Sequence, residues 1–259
     1  MPKIYHINLE PSEICGATLA LIPGDPFRVP AIAATIQKAY GGQVKELAWK
    51  REFRTVRCTL EEGAILVTST GIGGPSSAIV IEELALCGIR KFLRVGTTGA
   101  IQKKIQIGDV IITSGAVRLD GASKHYAPVE YPAVAHHSLI DAAIRGAQDL
   151  KLTYHVGITA SSDTFYPGQE RYDSFSGYVL PRLQGSLSQW QHLHVLNYEM
   201  ESATVLTLAN ALGLQGGCVS GVVVNRVGDE SITSASLQRG EDHAIKVAVA
   251  ACKYLCQTE

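Results

Sequence analysis

The stretch Phe92-Leu-Arg-Val-Gly-Thr-Thr-Gly99 decides the fold class, because a short apolar run passes directly into a glycine-rich segment that carries an arginine. A similar succession occurs twice earlier, where Ala17–Ile22 leads into Pro23–Arg28, which also carries an arginine, and Ala64–Val67 leads into Gly71–Ser76, which does not. Short apolar runs bounded by glycine are typical of buried strands. We therefore predict three strands, each followed by a glycine-rich loop, with Arg94–Gly99 as the third loop.

Strand-like and helix-like stretches alternate along the rest of the chain. Further strands are predicted at Val110–Thr113, Val156–Ala160 and Gly221–Val224, and helices at Val80–Cys87, Leu139–Leu152, Glu201–Leu212 and Glu241–Leu255. This alternation predicts an α/β fold, a single domain over residues 1–259 with a central mixed sheet flanked by helices. The segments Asp120–Ala135 and Asp163–Gln191 show no regular pattern and are predicted to be long loops, which in compact domains are usually either functional or disordered.

Composition excludes several classes of function. The formal net charge of the 259 residues is −1 without a long run of like charges, which argues against a nucleic-acid partner. No apolar stretch approaches the ~20 residues that span a bilayer, and the N-terminus lacks the pattern of a signal peptide. Six scattered cysteines without a Cys-x-x-Cys pair indicate reduced thiols. We expect a cytoplasmic protein without a membrane partner.

The glycine-rich segments indicate phosphate binding. Glycine lets backbone N–H groups approach an anion closely, and the guanidinium groups of Arg28 and Arg94 match phosphate oxygens. A dinucleotide site remains an alternative, because Gly71-x-Gly73 follows a strand and Arg94 could hold the 2′-phosphate of NADP. Against it, Ser76 replaces the third glycine, no acidic residue follows for the ribose, and two further loops would have no role. The P-loop pattern is absent.

Two further clusters contain groups that suit a nucleoside. Glu199 and Glu201 stand at a strand-to-helix junction, where a carboxylate either stabilises the helix N-terminus or accepts hydrogen bonds from sugar hydroxyls. Phe165, Gln169 and Arg171 offer a ring, an amide and a guanidinium within seven residues, which could stack on a heterocycle and read its edge. Alternatively, Phe165 belongs to the core and Arg171 to the solvated surface. Together, the clusters indicate a nucleoside and phosphate as ligands.

Long motifs extend this interpretation over nearly the whole chain. They are Pro23-Gly-Asp-Pro-x-Arg28, Arg51-Glu-Phe53, Ser69-Thr-Gly-Ile-Gly-Gly-Pro-Ser76, Arg94-x-Gly-Thr-Thr-Gly-Ala-Ile-Gln102, Val117-Arg-Leu-Asp-Gly-Ala-Ser123, the run from Ala160 to Tyr172, and Asn197-Tyr-Glu-Met-Glu-Ser-Ala203. In these motifs the chain resembles the uridine-cleaving members of the nucleoside phosphorylase-I family. The resemblance implies a single-domain α/β fold and a homohexamer built as a trimer of dimers, with active sites shared between two subunits.

The resemblance also implies a role for each matching residue. Phosphate would be held by Gly24, Arg28, Arg94 and Thr97, with Arg51 from the neighbouring subunit; ribose by Thr97, Met200 and Glu201, with His6 from the neighbour; and the base by Phe165, Gln169, Arg171 and Arg226. Arg28, Arg94, Gln169 and Arg171 would be the catalytic residues. No cofactor is implied, inorganic phosphate is the co-substrate, and a K⁺ ion could bind at the dimer interface through Glu52, Ile72 and Ser76.

The expected reaction is the reversible phosphorolysis of uridine to uracil and ribose 1-phosphate, with deoxyuridine and thymidine as weaker substrates. Purine-cleaving members of the family place an aspartate after the strand that matches Gly221–Val224, whereas this chain continues with Asn225-Arg226 and has its first acid at Asp229. The lid segment, Val227–Ala235, departs from the more hydrophobic, proline-containing pattern of relatives, which leaves the preferred base open. A water-using nucleosidase and a nucleoside-binding protein without catalysis remain alternatives.

Overall fold

Strand β5 (Lys91–Ala100) is the centre of the fold. The computed structural model describes residues 3–228 and 230–256, and within them ten strands form one mixed sheet. The other strands are β1 (Leu19–Pro23), β2 (Gln43–Lys50), β3 (Phe53–Leu60), β4 (Gly63–Thr68), β6 (Val110–Leu119), β7 (Ala133–Val134), β8 (Tyr154–Ser162), β9 (Asn197–Glu199) and β10 (Gln215–Asn225). The α-helices are α1 (Arg28–Tyr40), α2 (Gly74–Cys87), α3 (His137–Asp149), α4 (Ser186–His192), α5 (Ser202–Ala211) and α6 (Ser234–Leu255).

The two edges of β5 are paired differently. Strand β10 runs parallel to β5 along its whole length on one edge. On the other edge, β1 pairs in parallel with Lys91–Val95 and β9 pairs in antiparallel fashion with Gly99 and Ala100. Strands β1 and β9 therefore approach each other from opposite ends and leave a gap in the pairing at residues 96–98.

The remaining strands extend the sheet in two directions. Strands β4, β3 and β2 follow β1 in that order. On the other side, β10 pairs with β6, β6 with β8, and β8 with β9, so that the pairings return to β5 in a closed ring. The predicted mixed sheet is therefore confirmed, and its central part has the connectivity of a small barrel.

Helices cover both faces of the sheet. Helices α1, α3 and α6 pack on one face, whereas α2 and α5 pack on the other. Along β1, Leu19 and Leu21 belong to the first core, and Ala20 and Ile22 belong to the second. Successive side chains of a strand point to opposite faces, so a strand covered on both faces needs an uninterrupted apolar run. This requirement explains the apolar runs in the sequence.

The predicted third loop is wrong. Residues 94–99 belong to β5, because β10 continues to pair with them as far as Ala100. The glycines instead allow close packing: a Cβ atom at Gly96 would lie 3.2 Å from Ser220 Oγ, and one at Gly99 would lie 3.3 Å from Arg226 Cδ. The signal for this pairing lies more than a hundred residues away in the sequence.

Other boundaries also differ from the prediction. Helix α6 begins at Ser234 rather than Glu241, because Thr233 caps it and exchanges hydrogen bonds with Ser236. Helix α4 begins inside the predicted loop Asp163–Gln191 and ends one residue beyond it, and β7 lies inside Asp120–Ala135. Elements α1, β2 and β3 were not predicted. The six predicted strands and four predicted helices are all present, with bounds that shift by a few residues at most ends.

Candidate active site

A cleft of about 720 Å³ opens at the gap in the pairing of β5. Thr97 and Thr98 of β5 line it, together with Gly24 just after β1 and Glu199 at the end of β9. Because two strands end at this gap, segments that are distant in sequence meet there. The cleft brings together most of the predicted site residues: Gly24, Arg28, Glu52, Ile72, Ser76, Arg94, Thr97, Phe165, Gln169, Arg171, Met200 and Glu201.

The loops after β1 and β4 form what we call the anion side of the cleft. Thr70 N donates to Pro23 O at 2.8 Å, and Gly71 N donates to Gly24 O at 2.9 Å, so the two loops are fastened to each other. A Cβ atom at Gly24 would lie only 3.5 Å from Arg94 Nη2, so the absence of a side chain leaves room beside this guanidinium. The anion side therefore combines a bare backbone with a buried positive charge.

Arg28, at the start of α1, brings a second guanidinium to the cleft. Its Nε and Nη2 donate to Glu241 Oε1 of α6 at 2.9 and 2.8 Å. This ion pair joins α1 to α6, which pack on the same face of the sheet. It also restricts the rotamers of a long side chain, and a restricted arginine loses less entropy when it binds an anion.

The two predicted carboxylates have different partners. Both Glu199 oxygens accept the backbone N–H of Ser202, at 3.0 and 2.9 Å, and Oε2 accepts that of Glu201, so Glu199 stabilises the N-terminus of α5. Glu201 faces the anion side: Oε1 accepts the Gly73 N–H at 2.6 Å, and Oε2 accepts from Arg94 Nη2. Glu199 therefore stabilises the helix terminus, and Glu201 is the carboxylate that faces the cleft.

Burial dominates the electrostatics of this carboxylate pair. Glu199 and Glu201 are buried, and Arg94 Nε lies 3.7 Å from Glu199 Oε2. Burial, followed by the charge of Glu201, raises the pKa of Glu199 to about 7, although Arg94 opposes the shift. The pKa of the Glu199 carboxyl therefore lies near neutrality, and Arg94 is the arginine beside both carboxylates.

Phe165, Gln169 and Arg171 form what we call the ring side of the cleft. The Arg171 guanidinium stacks 4.4 Å from the centre of the Phe165 ring, whose side chain is 41 % exposed. Arg171 itself is only 7 % exposed, and Gln169 is buried. Both alternatives to a functional cluster are therefore wrong: Phe165 is not core and Arg171 is not on the solvated surface.

Arg226 does not line the cleft but lies behind the ring side. Its Nη1 donates to Gln169 O at 2.8 Å, and its Nε donates to Glu230 Oε2 at 3.0 Å. Asn225 Nδ2 donates to the Gln102 and Ile105 carbonyls, which fixes the end of β10. No acidic side chain takes the place of the purine-type aspartate at residues 225 and 226, and Asp229 lies outside the described residues.

Two further predicted site residues, His6 and Arg51, lie outside the cleft of this chain. His6 is held by Glu83 of α2, with its Nδ1 at 2.6 Å from Oε1, and Arg51 is exposed in the turn between β2 and β3. Neither residue lines the cleft. The contribution of His6 and Arg51 to the site of a neighbouring subunit stays a prediction.

The residues expected to hold a cation lie at one edge of the cleft. Ser76 Oγ donates to Glu52 Oε1 at 3.3 Å, and the side chain of Ile72 is 77 % exposed. Between residues 3 and 256, leaving out residue 229, no three His, Cys, Asp or Glu side chains are grouped to hold a metal ion. Nor does any helix in the described ranges have both the length and the apolarity to cross a membrane.

The sequence analysis missed two acidic residues that contact the predicted arginines. Glu230 in the lid segment accepts from Arg171 Nη1 at 2.5 Å, and Glu241 accepts from Arg28. Ile232 and Leu237, which flank the start of α6, also line the cleft. The sequence carried no local signal for these contacts, because each of them joins α6 or the segment before it to a distant part of the chain.

Comparison with known proteins assigns the chain to a family. The model of the phosphorylase superfamily matches residues 18–258. The chain is 51 % identical to uridine phosphorylase of Escherichia coli over 252 residues, covering 97 % of this chain and 98 % of the relative. It is 47 % identical to uridine phosphorylase of Thermococcus kodakarensis (98 % and 87 % covered) and 34 % identical to guanosine phosphorylase of Halorubrum lacusprofundi (93 % and 89 % covered). The chain that builds this cleft therefore belongs to the phosphorylase superfamily.

Proposed function

We propose that the protein catalyses the reversible phosphorolysis of uridine to uracil and ribose 1-phosphate. The observation that carries this proposal is the single cleft in which arginines of the anion side, a buried carboxylate pair and an arginine on the ring side meet. Relatives that are 47–51 % identical over nearly their whole length are uridine phosphorylases, which supports the choice of base.

Phosphate would bind on the anion side. Gly24 exposes its backbone there, Arg28 and Arg94 supply positive charge, and Thr97 adds a hydroxyl. Arginine donors arranged before the anion arrives need no reorganisation during the reaction. Phosphate held beside C1′ would stabilise the cationic sugar and then attack C1′, so no protein side chain needs to form a covalent intermediate.

The sugar would lie between the two sides, against Met200 and Glu201. An ionised carboxylate only accepts hydrogen bonds, which suits a pair of ribose hydroxyl donors. Glu201 already holds two donors, Gly73 N–H and Arg94, and is therefore fixed in place. Substrates without the 2′-hydroxyl would lose one of these bonds, so deoxyuridine and thymidine would be weaker substrates.

Uracil would stack on Phe165 and be read by Gln169 and Arg171. As the C1′–N1 bond breaks, its electron pair moves to the pyrimidine, which becomes an anion before it takes a proton from solvent. Arg171 stabilises this charge most effectively where water is excluded. Its Nε–H is buried and has no hydrogen-bond partner in the described parts of the chain, so an acceptor on the ligand would satisfy it.

Two subunits would share each site. His6 and Arg51 lie outside the cleft, whereas the exposed side chain of Ile72 lines it. The exposed ring of Phe27, next to Arg28 in the sequence, packs against the exposed ring of Trp49. A dimer that covers these exposed side chains would add the partner's arginine to the phosphate site, and three such dimers would form the hexamer. Symmetric closed assemblies are the common form of homo-oligomers.

A monovalent cation at the dimer interface fits the residues present. Glu52, Ser76 and the backbone carbonyl of Ile72 would supply oxygen ligands, the donor type that hard cations prefer. The Glu52 and Ser76 side chains already touch, at 3.3 Å. The cation would stabilise the subunit contact, and the chemistry itself would need only phosphate as a co-substrate. We also place the enzyme in the cytoplasm, in keeping with its free cysteines.

Chromatography of uridine incubated with the protein, with and without inorganic phosphate, tests the proposal. We expect free uracil only when phosphate is present, together with an equal amount of ribose 1-phosphate. Uracil release without phosphate would identify a nucleosidase instead. Uridine binding without any release would identify a nucleoside-binding protein, and either result would contradict the proposal.

A further inference from the structure

The carboxylate of Glu230 bridges two arginines on the ring side of the cleft. One of its oxygens, Oε2, accepts from Arg171 Nη1 at 2.5 Å and from Arg226 Nε at 3.0 Å. Glu230 belongs to the lid segment, four residues after Arg226, which directly follows β10, whereas Arg171 lies in the long loop after β8. The loop after β8 and the stretch after β10 are thus joined at one oxygen atom.

The two arginines need such a bridge. The side chains of Arg171 and Arg226 are 7 % and 1 % exposed, so water screens their mutual repulsion poorly. Burial and the charge of Arg226 lower the pKa of Arg171, while the Glu230 and Asp173 carboxylates act in the opposite direction. A shared carboxylate offsets this repulsion and allows the two cations to stay side by side.

The contact with Glu230 also determines which N–H groups of Arg171 remain available to a ligand. Glu230 holds Nη1 and the Phe165 ring lies against the guanidinium face, while the buried Nε–H has no hydrogen-bond partner within the described residues. On the other side of the bridge, Arg226 Nη1 holds the Gln169 carbonyl at 2.8 Å. Glu230 is therefore connected to both residues that would read the base.

We propose that Glu230 is a positioning residue for the departing base: it holds Arg171 directly, and the backbone of Gln169 through Arg226, in the arrangement that stabilises the pyrimidine anion. This proposal rests on the proposed function. A positioned donor contributes most when the leaving group is poor, because more negative charge must then be stabilised in the transition state. Loss of Glu230 should therefore affect uridine more than a nucleoside whose base leaves easily.

The test uses the full-length protein and its Glu230→Gln variant, which keeps the side-chain size and removes the charge. Asp242→Asn is the matched control, because Asp242 is an exposed carboxylate of α6 that pairs only with Lys246 among the described residues. Uridine and 5-fluorouridine are the substrates, since fluorine stabilises the departing anion. Uracil and 5-fluorouracil release is measured at varied nucleoside and varied phosphate concentrations.

For Glu230→Gln we expect kcat/KM for uridine to fall about tenfold or more, mainly through kcat, because a misplaced catalytic group typically costs this much. For 5-fluorouridine we expect a loss of about threefold, and the KM for phosphate should stay within about twofold. Glu230→Asp, which keeps the charge on a shorter side chain, should recover part of the rate. Asp242→Asn should match the unchanged protein.

Two results would overturn the proposal. Equal losses with both nucleosides would show that Glu230 only supports the lid segment, and rates equal to those of Asp242→Asn would show that it has no role in the reaction. The unchanged protein reports separately on the proposed function: if it releases no uracil with phosphate, the proposed function fails and this proposal fails with it.

Discussion

At the scale of single residues, Glu199 and Glu201 differ in function although they are two positions apart. The sequence left both carboxylates with two interpretations, because each could serve a helix terminus or a ligand. The structure separates them through partners that lie far away in the chain: Gly73 and Arg94 contact Glu201, whereas Glu199 binds the first N–H groups of α5. The sequence therefore predicts that the two carboxylates are important. It does not predict which of them stabilises the helix terminus and which faces the cleft.

The raised pKa of Glu199 predicts a pH dependence of stability. Its folded pKa of about 7 lies above the ordinary carboxyl value of 4.5, so the folded state binds more protons between these values. Stability should therefore fall as pH rises from about 5 to 7, by about 3 kcal/mol as an upper bound. Thermal unfolding at a fixed protein concentration measures this fall. Glu199→Gln should flatten the curve in this window, and an unchanged slope would contradict the assignment.

The contact expected between Glu201 and the ribose predicts a change in selectivity. Glu201→Gln should lower kcat/KM for uridine about a hundredfold, because a charged acceptor and the hold on Arg94 are lost together. Deoxyuridine should lose less, since it lacks one of the hydroxyls that Glu201 would accept. The ratio of kcat/KM values for the two nucleosides should approach about one. A ratio that stays at the wild-type value would remove Glu201 from the sugar site.

At the scale of secondary structure, the contact between β10 and α6 positions one wall of the cleft. A Cβ atom at Gly221 would lie 1.8 Å from the carbonyl oxygen of Gly240, so strand and helix touch through their backbones. Leu237, one turn before Gly240, lines the cleft. The sequence predicted both elements, whereas the glycine contact depends on how they pack.

This contact makes Gly221→Ala a severe substitution. We expect a loss of about 3 kcal/mol or more, because the helix must move away from the sheet. A thermal melt beside Gly228→Ala provides the comparison, since no described atom outside its chain neighbours lies within 4 Å of a Cβ atom at Gly228. Equal melting temperatures for the two variants would show that α6 does not pack here as described.

Helices and strands whose apolar residues recur at regular intervals could be predicted from the sequence. Those that depend on contacts with distant segments could not. Strand β2 was missed because its first four residues are all exposed and three of them are polar, so it lacks the alternation of a half-buried strand. Helix α1 was missed because it follows directly on a glycine-rich segment and contains Pro30 in its first turn, where proline is tolerated. The prediction of a loop at Arg94–Gly99 is wrong because glycine is typical of loops but here allows close packing within a strand.

At the scale of the whole molecule, the single domain over residues 1–259 and the shared active sites stay predictions. The fold class and the family were predicted from the motifs and are confirmed. The NADP alternative loses its main support, because Arg94 is buried against Glu201 in the same cleft as the other predicted residues. The role of the lid segment could not be predicted from its sequence, because it depends on the ion pairs that Glu230 forms with Arg171 and Arg226.

Shared sites predict that two inactive variants can restore each other. Arg171→Ala removes a residue that each site would take from its own subunit, and Arg51→Ala removes one that it would take from the neighbour. In mixed dimers one of the two sites would contain both arginines, so unfolding and refolding the variants together should return about a quarter of the wild-type activity. Variants refolded separately and then combined are the control. No recovery in a sample shown to contain mixed dimers would mean that Arg51 does not act across the interface.

The cleft at the gap beside β5 has two sides that are built from different parts of the chain. The anion side is built on the ends of β1, β4 and β5, whose register is fixed by the core, whereas the ring side is built on residues 165–171 and on the stretch between β10 and α6. An exchange of the latter two segments would leave the sheet and its hydrogen bonds intact. A protein with this architecture can therefore come to cleave off a different base when these two surface segments change. The residues that would bind and activate the nucleophile stay the same.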